Sequence, residues 1–193
     1  MFSVNILYLP FFYCKISGMK SNIILIGMMG SGKTTVGAEL SKVLPDFRYA
    51  DIDAEIEKST QKKISEIFLK HGEPFFRMLE EEKIRKLCKE KNYIISAGGG
   101  AFESLENRRI MLENAEVIYL KASPETIYNR IKEENHRPLL KKNFSIEKIA
   151  SIMHLREKNY EKANFTIDTT GKKPEDIVKE ILEVLNVWFI SKN

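Results

Sequence analysis

Short apolar runs separated by longer amphipathic stretches recur along this chain. The runs lie at residues 23–26, 47–50, 93–97 and 117–120, with a weaker one at residues 165–167. Mainly apolar runs of this length are typical of parallel strands that are buried on both faces of a sheet. The pattern therefore predicts an α/β protein built on a central five-stranded parallel sheet.

The amphipathic stretches between these runs predict the helices. Pro124, directly after Ser123, is typical of the first turn of one helix, with Ser123 as its cap. Helices that alternate with parallel strands cover both faces of the sheet, so we expect a three-layer fold. Apolar positions recur at helical spacing in residues 35–44, 64–68, 75–89 and 177–185.

The first 18 residues do not fit this alternation. Residues 1–13 are largely apolar and aromatic but are interrupted by Pro10, and Met19 stands directly before the first strand. The segment lacks the basic start and the small-residue cleavage site of a signal peptide, although that alternative stays open, and it is too short for a membrane span. We expect residues 1–18 to be a disordered leader or the result of a start codon assigned too early. Residues 19–193 contain no repeat or linker and are expected to form one domain.

The charge and the cysteine count exclude several classes of partner. Of 193 residues, 31 are basic and 27 acidic, and lysines alternate with glutamates on the predicted helices. That mixture is typical of a solvated surface and not of a nucleic-acid-binding stripe. The two cysteines, Cys14 and Cys88, and the three histidines form no disulfide framework or zinc-binding spacing. We therefore expect a cytoplasmic monomer without nucleic-acid or membrane partners.

The residues with the clearest chemistry follow the first strand. Residues 27–34 match the phosphate-binding pattern G-x4-G-K-[ST] between a predicted strand and a predicted helix. Glycines let the backbone aim its N–H groups at an anion, and the helix N-terminus adds partial positive charge. Lys33 would reach the β- and γ-phosphates, and the Thr34 hydroxyl would occupy a Mg²⁺ position. A glycine-rich turn that merely precedes a helix is the alternative, but the context favours binding of a nucleoside triphosphate.

A phosphate loop also needs a second carboxylate near the metal. The later strands end in glycine or lysine, whereas Asp51 and Asp53 follow the run at residues 47–50. Residues two apart on a strand point to the same side, so both carboxylates can face the loop. One would serve the water shell of Mg²⁺, and the other would accept a hydrogen bond or a proton from an acceptor hydroxyl. The alternative for Asp53 is a helix N-cap.

Three glycines, Gly98, Gly99 and Gly100, directly follow a buried strand. Such a run costs conformational entropy, and we favour close approach of a ligand over a mere sharp turn.

Two arginines on predicted helices are further candidates for the site, with an ordinary surface position as the alternative. Arg77 lies three residues before Glu80 on a predicted helix, and its aromatic neighbours favour a partly buried pair over a surface salt bridge. Arg156 lies on another helical stretch.

Residues 136–145 have weak periodicity and are expected to form a mobile lid. Arg137 lies in this stretch, and an arginine on a closing segment can neutralise charge on a transferring phosphoryl group. Together with the lid, the motifs resemble the shikimate kinase family, a branch of the P-loop proteins related to nucleoside monophosphate kinases. The resemblance covers about residues 20–185. In chain order its motifs are residues 27–37, Asp51-x-Asp53, Phe76-Arg77-x-x-Glu80, Gly98-Gly99-Gly100, Arg137-Pro138-Leu139-Leu140 and Arg156-x-x-x-Tyr160.

The resemblance implies ATP-dependent phosphorylation of the 3-hydroxyl of shikimate, with Mg²⁺ as the cofactor held near Thr34 and Asp51. It implies that Arg130 lies against adenine beside a purine loop at residues 169–174. Arg137 would contact the γ-phosphate from a lid at about residues 130–146. The implied ATP contacts are Gly30, Ser31, Gly32, Lys33, Thr34, Thr35, Arg130 and Arg137.

The same resemblance implies the acceptor site, within a region at about residues 52–80 and the glycine run. Asp53 would contact the shikimate hydroxyls and is the candidate base, and Arg77 and Arg156 would take the carboxylate. One departure is Gln61, near which the family often has a glycine; no named ligand is affected. The implied substrate contacts are Asp53, Arg77, Gly98, Gly99, Gly100 and Arg156, and the implied catalytic residues are Lys33, Asp53 and Arg137.

Two other functions remain alternatives at this point. A related small kinase for gluconate or a nucleoside monophosphate also has a phosphate loop and a lid, but it lacks this combination of downstream motifs. A nucleotide-dependent switch would bind without turnover, and the guanine-reading Asn-Lys-x-Asp motif is absent from the sequence. The charged positions that the resemblance requires are filled, which argues against a catalytically dead relative.

Overall fold

The structure, a computed structural model, describes residues 20–132 and 145–191. Five strands form one sheet in the order β2-β3-β1-β4-β5, and each neighbouring pair is parallel. The predicted five-stranded parallel sheet is therefore confirmed. The strands are β1 (Asn22–Ile26), β2 (Arg48–Asp51), β3 (Tyr93–Ser96), β4 (Ala115–Lys121) and β5 (Phe165–Asp168).

Seven helices surround the sheet within the described residues. Gly72, with φ 79° and ψ 173°, breaks the third of them into two segments, and Pro74 follows the break. The two segments agree with the separate helical stretches that the sequence predicts. The helices are α1 (Lys33–Val43), α2 (Ile52–Thr60), α3 (Ile64–Lys89), α4 (Leu105–Asn114), α5 (Pro124–Ile131), α6 (Ile146–Tyr160) and α7 (Pro174–Ser191), with a 3-10 turn at Ala101–Glu103.

Two hydrophobic cores, one on each face of the sheet, hold the layers together. Successive residues of β1 alternate between them: Ile24 and Ile26 belong to one core, and Ile23 and Leu25 belong to the other. Helices α2, α3 and α4 cover the first core, whereas α1 and α7 cover the second. Burial of each such side chain contributes roughly 1.5–3 kcal/mol. The predicted three-layer arrangement is confirmed.

Helix α4 was not predicted, because its buried face is partly polar. Asn107 and Arg108 are buried there. The Asn107 side chain donates to the carbonyl oxygen of Ala101 at 3.1 Å, and the Arg108 guanidinium donates to that of Phe102 at 2.7 Å. Donors that reach carbonyl groups in this way can be buried inside a protein, but polar side chains hide the apolar period of the helix.

The carboxyl ends of the strands place the phosphate loop at the centre of the molecule. The loop follows β1, which lies between β3 and β4, and β2 and β5 form the two edges. Ligands of open parallel sheets bind outside the carboxyl ends of the strands, where neighbouring connections diverge. Most of the predicted lid, with Arg137, falls on residues 133–144 and lies outside the described residues, as does the predicted leader at residues 1–18. Among the helices described, none has the length and apolar character needed to cross a bilayer.

Candidate active site

The phosphate loop requires its glycines. Gly27, Gly30 and Gly32 have positive φ angles of 139°, 75° and 99°, a region that other residues rarely adopt. A Cβ atom at Gly27 would lie 2.5 Å from the carbonyl oxygen of Leu120, and one at Gly30 would lie 2.7 Å from Cγ2 of Ile131. Both the backbone conformation and the close neighbours therefore require glycine at positions 27 and 30.

Lys33 begins α1 and reaches back over the loop. Its Nζ donates hydrogen bonds to the carbonyl oxygens of Gly27 and Met28, each at 2.9 Å. The ammonium group therefore lies beside the backbone that a phosphate chain would contact. It can exchange carbonyl contacts for phosphate oxygens, which form stronger, charge-assisted bonds.

Thr34 and Asp51 meet at the mouth of the loop. The Thr34 hydroxyl donates to Oδ2 of Asp51 at 2.9 Å. Oδ1 of Asp51 accepts from the backbone N–H groups of Asp53 and Ala54 at 3.0 and 3.2 Å, so Asp51 is the N-cap of α2. The alternative interpretation of Asp53 as the cap is therefore wrong, because α2 begins at Ile52, two residues earlier than that interpretation requires.

Asp53 reaches the site from the first turn of α2. It does not continue β2, so the two-residue strand period expected to align it with Asp51 does not apply. Both acids nevertheless line the same cleft, which has a volume of about 600 Å³. The described residues that line this cleft are Met29, Gly30, Ser31, Gly32, Lys33, Thr34, Thr35, Val36, Asp51, Asp53, Ser96, Ala97, Gly98, Gly99, Arg130, Lys172, Pro174 and Ile177.

Ser96 and Tyr49 support the first turn of α1 from behind, and neither was predicted. The Ser96 hydroxyl donates to the carbonyl oxygen of Lys33 at 3.0 Å. The Tyr49 hydroxyl lies 3.1 Å from Oγ of Ser96 and 3.3 Å from the carbonyl oxygen of Thr34. Burial raises the pKa of Tyr49, so its hydroxyl remains a donor at neutral pH. These contacts fix the backbone that carries the lysine and the threonine.

The glycine run after β3 is crowded on several sides. A Cβ atom at Gly98 would lie 2.5 Å from Oε1 of Glu80 and 3.3 Å from Oδ1 of Asp53. One at Gly100 would lie 2.7 Å from Nη2 of Arg77. Glycine is therefore needed here because charged groups approach the backbone itself. These contacts bring the glycine run together with Asp53 and Arg77, as the sequence predicts.

Arg77 is held between two carboxylates. Its Nη1 donates to Oε2 of Glu80 at 2.7 Å, and its Nε and Nη2 donate to Oε1 of Glu73 at 3.1 and 2.8 Å. Burial opposes the charge of Arg77, but Glu80 and Glu73 outweigh it and raise the pKa of the guanidinium. Glu80 is fully buried, and burial raises the pKa of its carboxyl although Arg77 opposes that shift. The predicted pair with Glu80 is present; Glu73 was missed, although its spacing of four residues from Arg77 could have indicated it.

Arg156 approaches the glycine run from α6. Its Nη1 donates to the carbonyl oxygen of Gly99 at 3.0 Å and lies 3.8 Å from the sulfur of Met28. A Cβ atom at Gly99 would lie 3.6 Å from the same nitrogen. Arg77 and Arg156 thus lie against neighbouring residues of one turn. Neither arginine is among the residues given above as lining the cleft.

Arg130 and Thr169 close the opposite end of the cleft. The Arg130 guanidinium donates to the carbonyl oxygens of Gly30 and Thr169 at 3.2 and 2.9 Å, and to Oγ1 of Thr169 at 3.3 Å. The Thr169 hydroxyl in turn donates to the carbonyl oxygen of Ser31 at 3.2 Å. Burial lowers the pKa of Arg130. Thr169 was predicted only as the start of a purine loop, and its contact with the phosphate loop was missed.

The oxygen donors beside the phosphate loop fit a hard divalent cation. Thr34 and Asp51 already share a hydrogen bond there. Among the described residues no group of three or more His, Cys, Asp or Glu side chains could hold a metal ion. The hydroxyl of Thr34 and the carboxylate of Asp51 would suit Mg²⁺, which keeps several waters and takes its other ligands from substrate phosphates.

The parallel sheet, the phosphate loop and the adjoining turn with its two arginines define a P-loop protein of the small-molecule kinase type. Comparison with known proteins narrows this class. A family model described as shikimate kinase matches residues 29–186. The chain belongs to the shikimate kinase family, as its motifs predicted.

Individual relatives agree with this assignment. The chain is 47% identical to a shikimate kinase of Geobacter metallireducens over 83% of this chain and 89% of that protein. It is also 47% identical to a shikimate kinase of Persephonella marina, over 83% of this chain and 96% of the relative. A solved structure described as shikimate kinase from Acinetobacter baumannii in complex with shikimate is 33% identical, has a TM-score of 0.83, and covers 88% of this chain and 94% of its own.

Proposed function

We propose that this protein transfers the γ-phosphoryl group of ATP to the 3-hydroxyl of shikimate. The observation that carries the proposal is the position of the glycine turn at residues 98–100. It adjoins the phosphate loop through Gly99, and it contacts Arg77 and Arg156 on its other sides. A small hydroxylated acid in this position would have two guanidinium groups within reach of its carboxylate. The solved relative with shikimate bound supports the same acceptor.

On the donor side, the chain contributes positioning and charge neutralisation. The backbone N–H groups of residues 30–35 and the ammonium of Lys33 bind the phosphates, and Arg130 lies against the adenine. Arg137, outside the described residues, neutralises charge on the transferring group. Phosphoryl transfer depends mainly on such in-line positioning and electrostatic stabilisation, with little covalent chemistry by the protein.

On the acceptor side, Asp53 orients the 3-hydroxyl and takes up its proton as the new O–P bond forms. Its place supports this role, because its Oδ1 lies 3.3 Å from the Cβ position of Gly98, at the edge of the glycine turn. Arg77 and Arg156 bind the carboxylate of the acid. Charge-assisted bonds of this kind discriminate strongly against analogues that lack the matching group.

The proposed cofactor is Mg²⁺, held through Thr34, Asp51 and the phosphates of ATP. When bound, it would offset the charge of the β- and γ-phosphates. We further propose that residues 19–193 form one kinase domain that acts as a monomer in the cytoplasm. The low cysteine count, two in 193 residues, supports a reducing compartment.

A coupled assay of ADP release tests the acceptor directly. We expect turnover with shikimate and only background rates with gluconate or AMP, and ³¹P and ¹H NMR of the product should place the phosphate on the 3-hydroxyl. Turnover with gluconate or AMP but not with shikimate would replace the proposed acceptor. ATP binding without turnover on any of these acceptors would favour the nucleotide-dependent switch.

A further inference from the structure

The carbonyl oxygen of Gly99 accepts hydrogen bonds from two side chains of α6. Arg156 donates through Nη1 at 3.0 Å, and Tyr160 donates through its hydroxyl. These donors are four residues apart, so they lie on the same face of the helix. The proposed mechanism gives Arg156 a role at the acceptor carboxylate, but it assigns none to Tyr160.

The Tyr160 hydroxyl is a donor whose position is fixed by packing. Its side chain is 1% exposed, and its ring packs against that of Tyr119 with the centroids 4.9 Å apart. Burial raises the pKa of Tyr160 to about 12, so the hydroxyl keeps its proton throughout the neutral range. One residue earlier, the Asn159 side chain donates to Oε2 of Glu103 at 3.0 Å, a second tie between α6 and the segment that follows the glycine run.

The orientation of the Gly99 carbonyl controls the rest of the turn. A trans peptide is planar, so the direction of this carbonyl also sets the direction of the Gly100 N–H group. Gly100 packs directly against the guanidinium of Arg77, and Gly99 lies against the backbone nitrogen of Met29 in the phosphate loop. A rotation of this one peptide would therefore disturb the backbone between both arginines.

We propose that Tyr160 is a positioning residue for the acceptor site, and that its hydroxyl sets the Gly99–Gly100 peptide and the Arg156 side chain in the geometry that binds the acceptor carboxylate. This inference rests on the proposed function. Glycine has no side chain to restrain its peptide, so the restraint has to come from outside the turn. Arg156 alone is a poor restraint, because the same guanidinium must also bind the substrate.

The test compares Tyr160→Phe with Tyr119→Phe in the full-length protein. Both changes remove one buried hydroxyl from the same pair of packed rings, but only the first removes a donor to Gly99. For Tyr160→Phe we expect KM for shikimate to rise about fivefold, which corresponds to about 1 kcal/mol, while KM for ATP stays within about twofold. Tyr119→Phe should change neither constant by more than about twofold.

Thermal unfolding of both variants, alone and with saturating shikimate or ADP, supplies a second measurement that does not depend on turnover. Tyr160→Phe should lose part of the stabilisation by shikimate and keep that by ADP. A role in packing alone would lower the unfolding temperature of the free protein, but it would not reduce the stabilisation by shikimate more than that by ADP. Equal KM values for the wild type and Tyr160→Phe, or equal losses for both substrates, would overturn the proposal.

A double-mutant cycle identifies the route of the effect. If Tyr160 acts through the carbonyl that it shares with Arg156, the effects of Tyr160→Phe and Arg156→Lys on KM for shikimate should be non-additive. Additive effects would contradict the proposed route. If the wild-type protein does not turn over shikimate at all, the proposed function fails and this inference fails with it, whereas wild-type turnover with an unchanged Tyr160→Phe variant rejects only the positioning role.

Discussion

The Thr34 hydroxyl donates to Oδ2 of Asp51 at 2.9 Å, which joins the first turn of α1 to the end of β2. The same carboxylate caps α2 through its other oxygen. We expect Asp51→Asn to keep the cap, because an asparagine side-chain oxygen also accepts from backbone N–H groups. The change should raise the Mg²⁺ concentration needed for half-maximal turnover about 10- to 100-fold, as loss of an outer-shell carboxylate typically lowers metal affinity by that factor.

Turnover measured against Mg²⁺ concentration checks this prediction, with the unfolding temperature as the control for the cap. Thr34→Ser should behave like the wild type, since it keeps the hydroxyl. An Asp51→Asn protein with an unchanged Mg²⁺ dependence would exclude Asp51 from the metal shell.

Asp53→Asn separates binding from chemistry. An amide can still accept a hydrogen bond from the acceptor hydroxyl, but it cannot take up the proton, so kcat should fall about 100-fold or more. The Kd for ADP, measured by titration calorimetry, should stay within about twofold of the wild-type value, because Asp53 contacts the acceptor and not the nucleotide in the proposed mechanism. A near-normal kcat would remove Asp53 from the role of base.

Arg156→Ala should affect the acid far more than the nucleotide. Loss of a charge-assisted hydrogen bond costs about 1.5–3 kcal/mol, so KM for shikimate should rise about 10- to 100-fold. KM for ATP should change little, because the proposed role of Arg156 is at the carboxylate of the acceptor. Steady-state kinetics with each substrate varied in turn measure both constants; an equal rise in the two would place Arg156 elsewhere.

Thr169→Val tests the opposite end of the cleft. The substitution nearly preserves the volume of a fully buried side chain but removes the hydroxyl that joins Ser31 to Arg130. We expect KM for ATP to rise about fivefold, which corresponds to about 1 kcal/mol, because both hydrogen bonds of this hydroxyl are lost while Arg130 keeps its bond to the carbonyl oxygen of Thr169. KM for shikimate should not change. Thr169→Ser keeps the hydroxyl and should restore the wild-type value; if serine and valine behave alike, the hydroxyl has no such role.

A protein that begins at Met19 should keep its activity. The family model matches from residue 29 onwards, and β1 begins at Asn22. We expect kcat and both KM values within about twofold of those of the full chain, since the proposed site contains no residue before the phosphate loop. A truncated protein that fails to fold or loses turnover would show that residues 1–18 belong to the kinase domain.

The sheet could be predicted from the sequence because its strands coincide with short, mainly apolar runs. Even the weakest of them, β5, was found, since Ile167 and its neighbours stand between clear turn residues. Helix α4 was not predicted, because Asn107 and Arg108 interrupt its apolar period; both are buried and donate to carbonyl groups of the preceding 3-10 turn. A periodicity argument counts apolar residues and cannot anticipate partners that only the folded chain provides.

The residues of the site also differ in how far the sequence predicts them. Residues with their own charge or conformational signature, such as Lys33, Asp53 and Arg77, could be proposed from motifs and spacing. Thr169 and Tyr160 stand in the motifs of the resemblance, but their contacts could not be predicted, because each hydroxyl donates to a backbone carbonyl far away in the chain, 138 and 61 residues distant. Backbone carbonyls carry no sequence signal, so contacts to them emerge only after folding.

Gly99 borders the phosphate loop and Arg156 at once, because a Cβ atom there would lie 3.3 Å from the nitrogen of Met29 and 3.6 Å from Nη1 of Arg156. In the proposed arrangement, donor and acceptor therefore meet in one cleft, beside bare main chain. Main chain has no rotamers, so changes in acceptor size must be accommodated towards Asp53 and Arg77. A single inhibitor that spans both substrate positions would accordingly need only a very short linker past this glycine.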